Sequence, residues 1–142
     1  MANYYSCSRT NYFRVTDEEK YKRLFANLVG GEDDVHDFSK EKDGVTYHAF
    51  GAYGSIDYAV PFGDEGDYDY DFDIFLKELQ AILPEKEAFI YMESGHEKLR
   101  YITGLSIIVT KDKIESVNIC TDALNRAKEM LGDAEFSSDL CY

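Results

Sequence analysis

Tryptophan is absent from the 142 residues, and proline occurs only twice. Cations are scarce as well, with 15 Lys and Arg against 28 Asp and Glu and a formal net charge of −13. A nucleic-acid reader needs a basic face to neutralise phosphates, so direct binding to nucleic acid is not expected. Docking on an anionic membrane surface is disfavoured for the same reason. No apolar run reaches the roughly 18 residues that a membrane-spanning helix requires. The opening residues also lack a basic stretch followed by an apolar core, so no signal peptide is expected and the expected location is the cytoplasm.

Cysteine is sparse and odd in number. Cys7, Cys120 and Cys141 lie far apart, which suits reduced thiols better than a disulfide framework. Cys120 sits in an apolar stretch and reads as a small core residue. No Cys-x-x-Cys pair occurs, and His36, His48 and His96 do not fall at helical metal-ligand spacing, so neither a metal site nor a cofactor is expected. Gly-x-Ser-x-Gly is missing, and no lysine follows Gly51-Ala52-Tyr53-Gly54 where a phosphate loop would need one.

What is present begins with Thr10 to Val15, a run rich in β-branched and aromatic residues that reads as a short strand. Thr16-Asp17-Glu18-Glu19 has the form of a capping box, with Thr16 as the cap. Tyr21, Leu24, Phe25 and Leu28 then recur at helical spacing over Asp17 to Val29, and Gly30-Gly31 stops the helix. Val35–Glu41 and Val45–Phe50 flank Lys42-Asp43-Gly44, a hairpin signal. Ser55–Val60 reads as a further short strand. Phe72, Phe75, Leu76, Leu79, Ile82 and Leu83 form a second helical stripe, ended by Pro84.

Ala88–Glu93 and Leu99–Thr110 read as strands joined through a turn at Ser94 to Lys98. Leu105-Ser106-Ile107-Ile108-Val109 has the continuous apolar character of a central strand buried on both faces. Lys111-Asp112-Lys113 turns the chain into a strand over Ile114–Cys120. Thr121 is expected to cap a third helix with Leu124, Ala127 and Leu131 inward and Gly132 as its stop. Connections this short exclude parallel crossovers. The expected class is α+β, an antiparallel sheet built from hairpins with about three helices packed mainly on one face, in a single domain over 1–131 followed by a short acidic tail at 132–142.

Two features bear on function. His96-Glu97, in the expected turn, is the pair most like an acid–base site, with Lys98 and Arg100 near enough in sequence to hold an anion. Polar residues are equally at home in a hairpin turn without any chemistry. The second feature is the acidic tract. Asp64, Glu65, Asp67, Asp69, Asp71 and Asp73 place six carboxylates in ten residues with no cation among them, and residues 61–78 hold seven carboxylates against one lysine.

Three readings of the tract compete. Asp67, Asp69, Asp71, Asp73 and Glu78 match positions 1, 3, 5, 7 and 12 of a calcium loop, but Phe72 stands where that loop needs glycine. Alternatively, Asp69, Asp71 and Asp73 cap and charge the start of the second helix, where the macrodipole favours anions. That leaves Asp64, Glu65 and Asp67 unexplained. In the third reading residues 67–73 are extended, so that the aspartates share one face at a pitch of roughly 6.6–6.8 Å per two residues, like phosphates along a strand. Tyr68, Tyr70 and Phe72 then line the opposite face, and tyrosine offers contact area at low entropic cost.

Arg9-Thr10-Asn11-Tyr12-Phe13-Arg14-Val15-Thr16-Asp17-Glu18-Glu19 and Gly95-His96-Glu97-Lys98-Leu99-Arg100-Tyr101 resemble small proteins of bacterial phages, plasmids and conjugative elements. In size and acidity the chain is similar to their anti-CRISPR and antirestriction proteins, several of which mimic DNA. The resemblance is one of type and carries over no site residues. It implies a non-enzymatic inhibitor whose partner is a basic nucleic-acid-binding protein, such as a CRISPR effector or restriction nuclease. On the third reading of the tract, the partner-binding residues are expected to be Asp64, Glu65, Asp67, Tyr68, Asp69, Tyr70, Asp71 and Asp73. A protein–protein adaptor of a mobile element, or a small enzyme using His96 and Glu97, are the alternatives.

Overall fold

In the computed structural model, residues 4–31, 34–62, 66–99 and 101–138 are described. Their elements are β1 (Tyr5–Thr10), α1 (Glu18–Ala26), β2 (Leu28–Val29), β3 (His36–Asp37), β4 (Lys40–Lys42), β5 (Val45–Tyr47) and β6 (Phe50–Tyr53). These are followed by β7 (Asp57–Phe62), β8 (Asp67–Tyr70), α2 (Phe72–Gln80), β9 (Ala88–Glu97), β10 (Tyr101–Thr110), β11 (Ile114–Asn118) and α3 (Ile119–Leu131). Every strand pair is antiparallel, and the fold is α+β.

Six strands form the main sheet in the order β11-β10-β9-β1-β6-β3. A second sheet runs β2-β7-β8, and β4-β5 make a separate hairpin. That hairpin turns on Asp43 and Gly44, both at positive φ (54° and 77°), the geometry that an Asp-Gly turn provides. Strand pairing fixes the two faces of the main sheet. Ser8, Thr10, Phe50, Ala52, Phe89, Tyr91 and Val109 look inward, and the apolar stripes of α1 and α2 lie against them.

Four phenylalanines lock this core. Phe13, Phe50, Phe75 and Phe89 are fully buried, and Phe13 meets Phe89 edge to face at 5.1 Å. Phe50 and Phe75 meet likewise at 6.0 Å. One ring from the chain between β1 and α1, two from strands and one from α2 thus tie the layers together.

Several expected boundaries shift for physical reasons. The first strand lies at Tyr5–Thr10 rather than Thr10–Val15, and from the latter run Phe13 keeps only an isolated bridge to His48. Its inward residues are hydroxylated, which hides the strand from an apolar pattern. Asp17, not Thr16, caps α1 by accepting from the Lys20 amide at 3.0 Å, while Thr16 Oγ1 donates to the Ile82 carbonyl. Asn118, not Thr121, caps α3 by accepting from the Cys120 and Thr121 amides. Gly132, in the left-handed conformation, ends that helix as expected.

The apolar residues of α3 are not core. Leu124 and Ala127 are half-covered, Leu131 is 61% exposed, and Cys120 is half-buried, its Sγ 3.6 Å from the Ile102 carbonyl oxygen. Nor is the 105–109 segment buried on both faces. Of its residues only Val109 is buried, and β10 lies second from the edge of the sheet. Among the described residues no helix is long and apolar enough to cross a membrane.

Candidate functional site

The acidic tract splits into strand and helix. Asp67 to Tyr70 form β8, which among the described residues pairs only with β7 and so is the outer strand of its sheet. Asp64 and Glu65 lie outside the described residues. Asp71 keeps extended dihedrals (φ −151°, ψ 98°), so Asp67, Asp69 and Asp71 follow one another at i, i+2 and i+4 along one side of the chain. The expected row stops there. Asp73 sits in the first turn of α2, and its amide donates to Asp71 Oδ1 at 3.0 Å. Asp71 therefore both ends the row and caps the helix.

Tyr68 and Tyr70 point to the other side and are 52% and 59% exposed. Phe72 instead turns inward, against Phe75 at 5.4 Å and Tyr91 at 5.1 Å. Among the described residues no lysine or arginine pairs with Asp67, Asp69, Asp71 or Asp73. Their charge is thus left facing solvent. The calcium-loop count does not assemble, because residues 67–70 are a ladder strand and Glu78 lies in α2, paired with Lys20 at 3.0 Å.

His96 and Glu97 are not in a turn. β9 runs through both, and as neighbours in a strand they project to opposite faces, so they cannot work on one atom. His96 lies across from Tyr5, with the rings 6.2 Å apart. Arg100 lies outside the described residues.

Two polar clusters went unseen in the sequence. In one, Tyr91 Oη donates to Glu93 Oε1 at 2.7 Å and receives the Ile56 amide, while Ser8 Oγ, 3.0 Å away, donates to the Gly54 carbonyl. Burial, reinforced by Glu93, holds the Tyr91 hydroxyl well above the usual tyrosine range. Ser8 is only 5% exposed, so this network braces the sheet rather than meeting a substrate.

In the other cluster His48 Nε2 donates to Glu18 at 2.7 Å, and Ser39 Oγ lies 3.3 Å from Nδ1. Serine, histidine and carboxylate in line have the form of a nucleophile relay. The Ser39 amide, however, is already bound to Asp37 Oδ1, and the Ala49 amide points at Ser39 Oγ itself. Both of those amides are therefore engaged within the cluster. The relay ties α1 to the strand side of the core. Neither cluster could be found from spacing, because its members come together only in the fold.

No family model matches this chain, and neither curated proteins nor solved structures provide a significant match.

Proposed function

We propose that the protein binds a basic, nucleic-acid-binding protein through β8 and the start of α2, and so keeps nucleic acid out of that partner's groove. The partner class is a bacterial defence nuclease of the CRISPR or restriction type, met in the cytoplasm, and no catalysis by this chain is involved. The observation that carries the reading is the row Asp67, Asp69 and Asp71, unpaired with any described cation, on an outer strand whose tyrosines stand exposed. A groove lined with Lys and Arg attracts such a row over a distance and aligns it on contact. Tyr68 and Tyr70 add apolar area beside the charge. Competition with duplex or guide-paired DNA for a panel of such nucleases tests the reading. Displacement that weakens steeply with salt supports it, and no displacement from any of them defeats it.

A further inference from the structure

The outward face of the six-stranded sheet is the part of the surface least like the rest. Tyr5, Met92 and Val117 on it are 56%, 47% and 41% exposed, and of α3 Ile119 reaches over the face, at Gly104. Ile90 and Ile108 lie on the same side. A hollow of about 930 Å³ opens over Cys7 and Ser94, walled by Lys98 and by Ile119 at the start of α3, whose side chain stands against Gly104. This open side is why the 105–109 segment reads in sequence as buried on both faces and yet is not.

Charge singles the face out further. Among the described residues strand pairing places only two formally charged side chains on it, Arg9 on β1 and Glu115 on β11, with Lys98 at its rim, in a chain carrying −13 overall. Two copies repel through most of their surfaces, and here they do not. The strand order places the two charges symmetrically, because β1 and β11 flank the β9–β10 pair on either side.

We propose that two copies of this chain pack these faces together as a two-fold dimer whose axis runs along the strands between β9 and β10. That rotation lays β9 over β10 and β1 over the partner's β11. Arg9 is level with Met92, Ser106 and Val117, and Glu115 is two residues further along. The offset is about 6.7 Å, within reach of an arginine side chain across sheets stacked about 10 Å apart. Each Arg9 then meets the other copy's Glu115, leaving its present seat over the Phe38 ring. The four overlapping strands offer roughly 500 Å² of flat sheet per copy, and side-chain relief raises it toward the ~800 Å² per partner typical of stable interfaces. The pairing is self-complementary and closes.

Sedimentation equilibrium of the full chain at tens of micromolar tests this. The expected mass is twice 16.3 kDa. Met92→Lys, at an exposed position, should halve it while leaving the far-UV circular dichroism of the folded chain unchanged. Arg9→Glu alone and Glu115→Arg alone should each weaken the dimer, and the two together should restore it. A parent that sediments as a single chain overturns the proposal, as does a dimer that persists in Met92→Lys or a double variant that fails to recover. The proposal does not rest on the acidic row: replacing Asp67, Asp69, Asp71 and Asp73 by Asn should leave the mass unchanged, and a failure to displace DNA does not bear on it.

Discussion

The Tyr21 hydroxyl is a buried polar atom with no hydrogen-bond partner, the one such side-chain atom among the described residues. Its ring is well used, against His48 at 4.0 Å and Phe13 at 5.7 Å. Tyr21→Phe keeps both contacts and removes the unpaired group, so stability should rise by about 1 kcal/mol, read as a higher urea midpoint. A fall would show that the hydroxyl has a partner after all. Alkali gives a second prediction. Burial pushes the Tyr21 and Tyr91 hydroxyls well above the usual tyrosine range. The folded chain therefore keeps two protons that the unfolded chain releases near pH 10. Their contribution is complete below that pH and is lost as the pH climbs above it. Urea midpoints should drop steadily above pH 10, and Tyr91→Phe should start lower, having lost its hydrogen bonds, but fall with a shallower slope.

At the level of elements, legibility follows how much of the signal is local. The α1 and α2 stripes and the Asp43-Gly44 turn are written in short stretches and are found, but α1 ends at Ala26 rather than at Val29 before Gly30-Gly31, with Leu28 passing into β2, and α2 ends at Gln80, before Ile82 and Leu83. β1 is not so written, because Ser8 and Thr10 face inward and are satisfied by Gly54, Phe50 and Tyr91 from elsewhere in the chain. The helix caps also moved: Asp17 accepts the Lys20 amide while Thr16 is drawn to the end of α2. Asp17→Ala should accordingly cost about 1 kcal/mol. Thr16→Ala should cost less, since its amide still donates to Ile82 at 2.7 Å. Equal losses in parallel melts would restore Thr16 as the cap. The acidic tract was half legible: one of the competing readings gave the extended run and another put Asp71 at the start of the helix, and each holds for part of the tract, but neither placed the end of the row at Asp71.

At the scale of the whole molecule, the excess negative charge and the near-neutral sheet face belong to different surfaces, so changes to one should not read out on the other. Changing Asp67, Asp69, Asp71 and Asp73 together to Asn removes four charges while preserving shape. Asparagine at 71 can still accept the Asp73 amide, since Asn caps helices as well as Asp. Relief of repulsion between neighbouring carboxylates acts in the folded protein's favour, so the melting temperature should hold. Displacement of DNA from a susceptible nuclease should weaken by well over tenfold, because four exposed charges act together on one basic groove, and the loss should shrink at high salt where both proteins are screened. Single changes should each do far less, the charge being spread along the row. The matched control removes Glu85, Asp112, Glu129 and Glu135, all exposed and outside the tract, for the same change in net charge. Equal loss in both variants would mean that net charge alone drives binding and that the row on β8 has no special place.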